Sequence, residues 1–195
     1  MNNTAQKVKI VCMGDSLTEG YGIATSTDWP TLLNNSFSTI NAGISGDTTA
    51  GMLSRFYPMV IEENPTHVII MGGTNDCSFN LPADMIVSNI MAMTKMARHH
   101  GIQSIIGLPT KCFLENDNDF NDLFIAYRSF NERLHSFRLK MKSMAELKSI
   151  PVIDFSLDLT KEHYLDDGVH PNENGHEVMF NTAYKIINHL LASKQ

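Results

Sequence analysis

The chain has 195 residues, enough for one domain with a substantial core and short for two, so residues 1–195 read as a single domain. At 43% hydrophobic and 18% charged it is neither disordered nor fibrous. A net charge of −6 without a Lys/Arg cluster gives no footprint for nucleic acid and disfavours docking on anionic membranes.

The first β-rich run is Lys7–Met13, which ends at Gly14. Its apolar part, Val8 to Met13, is short and interrupted by Lys9, unlike a secretory leader, and nothing later reaches membrane-spanning length. The expectation is a cytoplasmic protein without stable membrane insertion. Cys12, Cys77 and Cys112 match no metal or disulfide framework, and the odd count suits a reducing compartment.

Trp29–Phe37 reads as a short helix with Asp28 as N-cap and Pro30 in its first turn. Ser38–Ala42 forms a second strand, and Met52–Glu62 is helical in pattern and stops before Pro65. His67–Met71 is an unbroken apolar run closed by Gly72-Gly73, as expected of a strand covered on both faces. Pro82–His100 reads as a long helix with Met85, Ile86, Asn89, Ile90, Met93, Met96 and Ala97 on one side and Gly101 as its stop. Gln103–Leu108 is the next strand, and Pro109–Asn121 is polar and loop-like.

Leu123, Tyr127, Phe130, Leu134, Phe137, Met141 and Met144 recur at spacings of four and three, one apolar stripe on a long helix. The stripe packs on the sheet or, as the alternative, forms a homodimer contact. Pro151–Phe155 is a last strand, and Glu173–Leu191 is a closing helix. Strands and helices alternate about five times, which predicts an α/β fold with a parallel sheet between helices. In such sheets ligands bind beyond the carboxyl ends of the strands.

Four chemical motifs fall at those predicted ends. Gly14-Asp15-Ser16-Leu17 follows the first strand, where a serine hydroxyl is exposed and its own N–H can face an anion. Asn41 to Thr48 follows the second, with Gly43 and Gly46 permitting close backbone approach. Gly72-Gly73-Thr74-Asn75-Asp76 follows the third, and Asn75 offers a neutral amide donor suited to a developing oxyanion. Asp166-Asp167-Gly168-Val169-His170-Pro171 follows the last. Across its glycine turn Asp167 can fold back onto His170 Nδ1, while Pro171 biases His170 away from helix. Singly, each motif is also ordinary turn chemistry. Jointly, they supply the nucleophile, donors, base and orienter that acyl transfer requires.

In this order, the blocks Gly14-Asp15-Ser16-Leu17, Gly46 in Ile-Ser-Gly-Asp-Thr, Gly73-Thr74-Asn75-Asp76 and Asp167-Gly168-Val169-His170 resemble the SGNH (GDSL-type) hydrolase family. Trp29-Pro30 followed by Leu32-Leu33-Asn34 is similar to its small bacterial esterase, thioesterase and lysophospholipase branch. The resemblance implies a flavodoxin-like three-layer α/β/α sandwich with a five-stranded parallel sheet. It implies Ser16, Asp167 and His170 as the triad, with Asp167 favoured over Asp166 by spacing. It also implies an oxyanion hole from the Ser16 N–H, the Gly46 N–H and the Asn75 side chain. The implied activity is hydrolysis of small carboxylic esters through an acyl-enzyme, or of acyl thioesters or lysophospholipids by the same triad. No metal or organic cofactor is needed. Two rivals remain: a zinc site from His163, His170 and His176 with nearby aspartates, and a non-catalytic carbohydrate-binding module.

Overall fold

The computed structural model describes residues 8–113 and 121–193, with side chains in the long sixth helix described from 128 onward. Its strands are β1 (Lys9–Gly14), β2 (Ser38–Gly43), β3 (His67–Met71), β4 (Gln103–Leu108) and β5 (Val152–Asp154). All pair in parallel, in the order β2-β1-β3-β4-β5. The helices are α1 (Ser16–Glu19), α2 (Trp29–Leu33), α3 (Thr49–Phe56), α4 (Thr74–Ser78), α5 (Ala83–His99), α6 (Asn121–Leu147) and α7 (Glu173–Ala192).

Strand alternation builds two cores, one on each face of the sheet. Val11, Met13, Val68, Ile70 and Ile106 pack against apolar residues of α3, α5 and α6. Ile10, Cys12, Ile69, Met71 and Ile105 point the other way, toward Leu17 of α1, Trp29 and Leu33 of α2, and Met179, Ala183 and Ile187 of α7. This is the expected three-layer α/β/α arrangement. The α6 stripe is buried against the first core from Phe130 through Leu134, Phe137 and Met141 to Ala145. The side chains of Leu123 and Tyr127, and most of the 109–121 loop, lie outside the described residues.

Several local expectations shift. Met85 is 49% exposed rather than part of the buried side of α5, because its position in the first turn faces away from the sheet. The segment expected as one helix over Met52–Glu62 starts earlier, at Thr49, capped by the Thr48 side chain. It then widens into a π-type turn over Tyr57–Ile61, where the Glu62 N–H reaches the Tyr57 carbonyl at 3.1 Å. Pro58 has no N–H to donate to the preceding turn, which favours the wider spacing. Among the described residues, no helix is long and apolar enough to cross a membrane.

The chain leaves β1 for β2 on one side and returns to β3 on the other. That reversal opens a crevice at the carboxyl ends of β1 and β3. The close fit of α1 over β2 sets the crevice wall: a Cβ on Gly43 would lie 2.2 Å from the Glu19 backbone nitrogen. Backbone cannot yield as a side-chain tip can, so Gly43→Ala is expected to destabilise the fold by about 1–3 kcal/mol. Urea denaturation checks this, and a midpoint equal to wild type would show that α1 is free to shift.

Candidate active site

Ser16 opens the single-turn helix α1 directly after β1. Asp15 caps that turn, its Oδ1 accepting from the Leu17 N–H at 3.0 Å, and Gly20 closes it in a left-handed conformation at φ 92°. The hydroxyl is thereby held at the strand end. From the far end of the chain, His170 Nε2 lies 3.0 Å from Ser16 Oγ.

The loop before His170 is organised around Asp167. One carboxylate oxygen accepts from the N–H groups of Val169 at 2.8 Å and His170 at 2.9 Å; the other meets His170 Nδ1 at 2.7 Å. The Leu165 N–H donates to the His170 carbonyl at 2.8 Å and closes the loop. Although desolvation opposes it, hydrogen bonds from the His170 and Val169 backbone and the imidazole hold the Asp167 carboxyl below the usual carboxylate range. A carboxylate on Nδ1 fixes the tautomer that leaves Nε2 unprotonated toward the serine. The carboxylate that meets the imidazole and the two backbone N–H groups is that of Asp167, not Asp166.

Asn75 sits in the first turn of α4, after β3. Its amide donates to the Asp47 carbonyl at 2.9 Å, which fixes the side chain and leaves the second N–H available. The next residue, Asp76, is buried and accepts from the Thr49 N–H at 2.9 Å and hydroxyl at 2.6 Å. Together these bonds fasten α4 to the start of α3. Gly46 lies between β2 and α3 at φ 79°, a left-handed conformation, and a Cβ there would meet nothing within 4 Å.

Arg55 was not singled out by the sequence, since one arginine in an amphipathic helix carries no pattern. Its Nε donates to Asp47 Oδ2 at 2.7 Å. Its two terminal nitrogens donate to the Ala42 and Gly14 carbonyls, each at 2.8 Å. One guanidinium thus ties the ends of β1 and β2 to the turn that carries Gly46 and receives Asn75. Tyr21 was missed for the same reason: its ring lies against His170, with centroids 4.5 Å apart.

Other candidates disperse. His176 is buried, and its Nδ1 accepts from the Trp29 N–H at 3.3 Å; desolvation pushes its pKa down to about 4. His163 Nδ1 caps the Thr160 turn, accepting from its N–H at 3.0 Å. Among the described residues, no group of three or more His, Cys, Asp or Glu side chains is arranged to hold a metal. The Cys77 thiol is buried and, chiefly by desolvation, pushed up to about 12, a poor nucleophile.

The family described as GDSL-like lipase/acylhydrolase matches residues 12–178. The chain belongs to this family. Family members hydrolyse acyl esters, and this chain is a carboxylic ester hydrolase of the GDSL type. The arylesterase of Vibrio mimicus is 26% identical over 93% of this chain and 90% of its own length. The Escherichia coli protein whose name joins thioesterase, protease and lysophospholipase is 26% identical over 85% of this chain and 76% of its own. The crystal structure of a GDSL-like lipase from Bacteroides thetaiotaomicron superposes with a TM-score of 0.75 at 25% identity, covering 93% of this chain and 88% of that one.

Asp15 sets a pH dependence beneath the GDSL serine. Burial first, then the Asp76 and Asp47 carboxylates, raise its carboxyl from 3.8 to about 7, against the opposing bond from Leu17. Such a group binds its proton more tightly folded than unfolded. The contribution of Asp15 to stability is therefore full below about pH 4 and is lost as pH rises through about 7. Asp15→Asn keeps an acceptor for Leu17 and removes the charge. Its Tm is expected to drop less than that of wild type between about pH 5 and pH 8. Parallel Tm curves would show that Asp15 does not titrate in the folded protein.

Proposed function

We propose that this enzyme hydrolyses small carboxylic esters of short acyl groups, with Ser16 as nucleophile, His170 as general base and Asp167 as its orienter. The observation that carries the proposal is the unbroken line from Ser16 Oγ through the imidazole to the Asp167 carboxylate, at 3.0 and 2.7 Å. Ser16 Oγ attacks the acyl carbonyl as His170 Nε2 takes its proton. The oxyanion receives the Ser16 N–H, the Gly46 N–H and the free N–H of Asn75. His170 then gives its proton to the alcohol oxygen as the bond from acyl carbon to that oxygen breaks. Water, deprotonated by the same imidazole, attacks the acyl-enzyme, releases the acid and restores Ser16.

An acyl thioester is the second reading, supported by the similarity to the Escherichia coli protein. A cytoplasmic location is supported by the free state of all three cysteines.

Ser16→Ala is expected to abolish both ester hydrolysis and labelling by a fluorophosphonate. Asn75→Ala should lose about 10²–10³ in kcat. Arg55→Gln should lose about 10-fold to 100-fold in kcat with KM little changed, since it misplaces donors rather than removing them. It should add little further loss on top of Asn75→Ala. Labelling of Ser16→Ala would name another nucleophile, and full additivity of the two losses would separate Arg55 from Asn75.

A further inference from the structure

We infer that Tyr21 and the shallow cavity beside it form a leaving-group subsite for an uncharged polyhydroxylated alcohol, so that the substrates are acyl esters of sugars or similar polyols. The inference rests on the serine-esterase reading above and narrows it.

The direction of proton transfer places the leaving group. His170 must protonate the departing oxygen, so the alcohol portion lies on the imidazole side of Ser16. That side is furnished by Tyr21, whose ring packs on His170 at 4.5 Å with an interplanar angle of 42° and is 52% exposed. An aromatic side chain held in place with half its surface open is a platform rather than core. Its backbone is pinned: the Tyr21 N–H donates to the Ser16 carbonyl at 3.2 Å, and Gly20 and Gly22 flank it at φ 92° and 80°. A Cβ on Gly22 would lie 2.6 Å from Leu165 Cδ1, so this loop sits directly on the loop that carries His170.

Gly22, the residue after Tyr21, and Leu165 border a cavity of about 360 Å³, whose other walls include Ile23 and Ala24 and, across from them, Glu173 and Asn174. Asn172 also borders it, but its carboxamide is committed, accepting from the Gly175 N–H and donating to the Glu162 and Tyr164 carbonyls. Glu173 and Asn174 therefore set the polar character of the wall. An aromatic face takes the apolar C–H face of a sugar ring, while a carboxylate and a carboxamide suit its hydroxyls. The Glu173 carboxylate in the cavity wall, in a chain of net charge −6, opposes a phosphate-bearing leaving group.

The test compares kcat/KM for a mono-O-acetylated methyl glucoside, ethyl acetate and phenyl acetate, each divided by its base-catalysed rate to remove intrinsic reactivity. Wild type should favour the sugar acetate over ethyl acetate by about tenfold or more. Tyr21→Leu and Asn174→Ala should each cut that ratio several-fold, and Tyr21→Phe, which keeps the ring, should preserve it. A wild-type ratio near one, or a ratio unmoved by both Tyr21→Leu and Asn174→Ala, overturns the inference. So does a preference for phenyl acetate that only Tyr21→Leu removes, which would assign the platform to aryl esters. Failure to hydrolyse any acetate, with Ser16 unlabelled by a fluorophosphonate, would bring down the esterase reading itself and this inference with it.

Discussion

The 3.0 Å contact between Ser16 Oγ and His170 Nε2 joins residues 154 positions apart, and most of the architecture serves to make it. Neither residue is placed by its own neighbours alone. Ser16 depends on β1 ending in the middle of a parallel sheet, with the chain departing to opposite sides for β2 and β3. His170 depends on α7 packing over the same face, where Met179, Ala183 and Ile187 share a core with Leu17 and Trp29. The hydrophobic effect supplies the force, at about 25 cal/mol per Å² of apolar surface buried. The hydrogen bonds supply the aim.

The aim is concentrated in a few polar groups, from the buried Asp76 to the exposed Asp167, each with several partners. Arg55 collects two strand-end carbonyls and one carboxylate; Asp76 collects two donors from Thr49; Asp167 collects three from its own loop. Satisfied in this way, buried polar groups are tolerable and directional. Asp15 differs: its Oδ2 is buried and, like the Thr18 and Thr74 hydroxyls, has no partner among the described residues. It lies one residue before Ser16 and caps the turn that presents it, so the cost is borne where backbone geometry matters most.

Legibility in the sequence followed the physics of each element. His67–Met71 and Gln103–Leu108 were readable to the residue because central strands buried on both faces leave long apolar runs. The Trp29 helix was readable at its start, where Asp28 accepts from the Thr31 N–H at 3.0 Å, and ended sooner than its pattern implied. α1 and α4 were invisible because a single helical turn has no periodicity to detect, although Asp15 and Gly73 mark their starts. The proposed site residues Ser16, Gly46, Asn75, Asp167 and His170 stood out because each sits in a short glycine-containing block in the connection that follows a strand, although the last block lies well beyond the end of β5. Arg55 and Tyr21 did not, since their importance comes from groups that only the tertiary fold brings to them.

The central claim is that the ends of β1, β2 and β3 and the final loop form one acyl-transfer site. A crystal structure of the protein inhibited by a monoalkyl phosphonate tests it most directly. The account predicts phosphorus bonded to Ser16 Oγ, with one phosphonyl oxygen about 2.7–3.1 Å from the Ser16 nitrogen, the Gly46 nitrogen and the Asn75 amide. An adduct on another residue, or a phosphonyl oxygen turned away from Gly46 and Asn75, would contradict it.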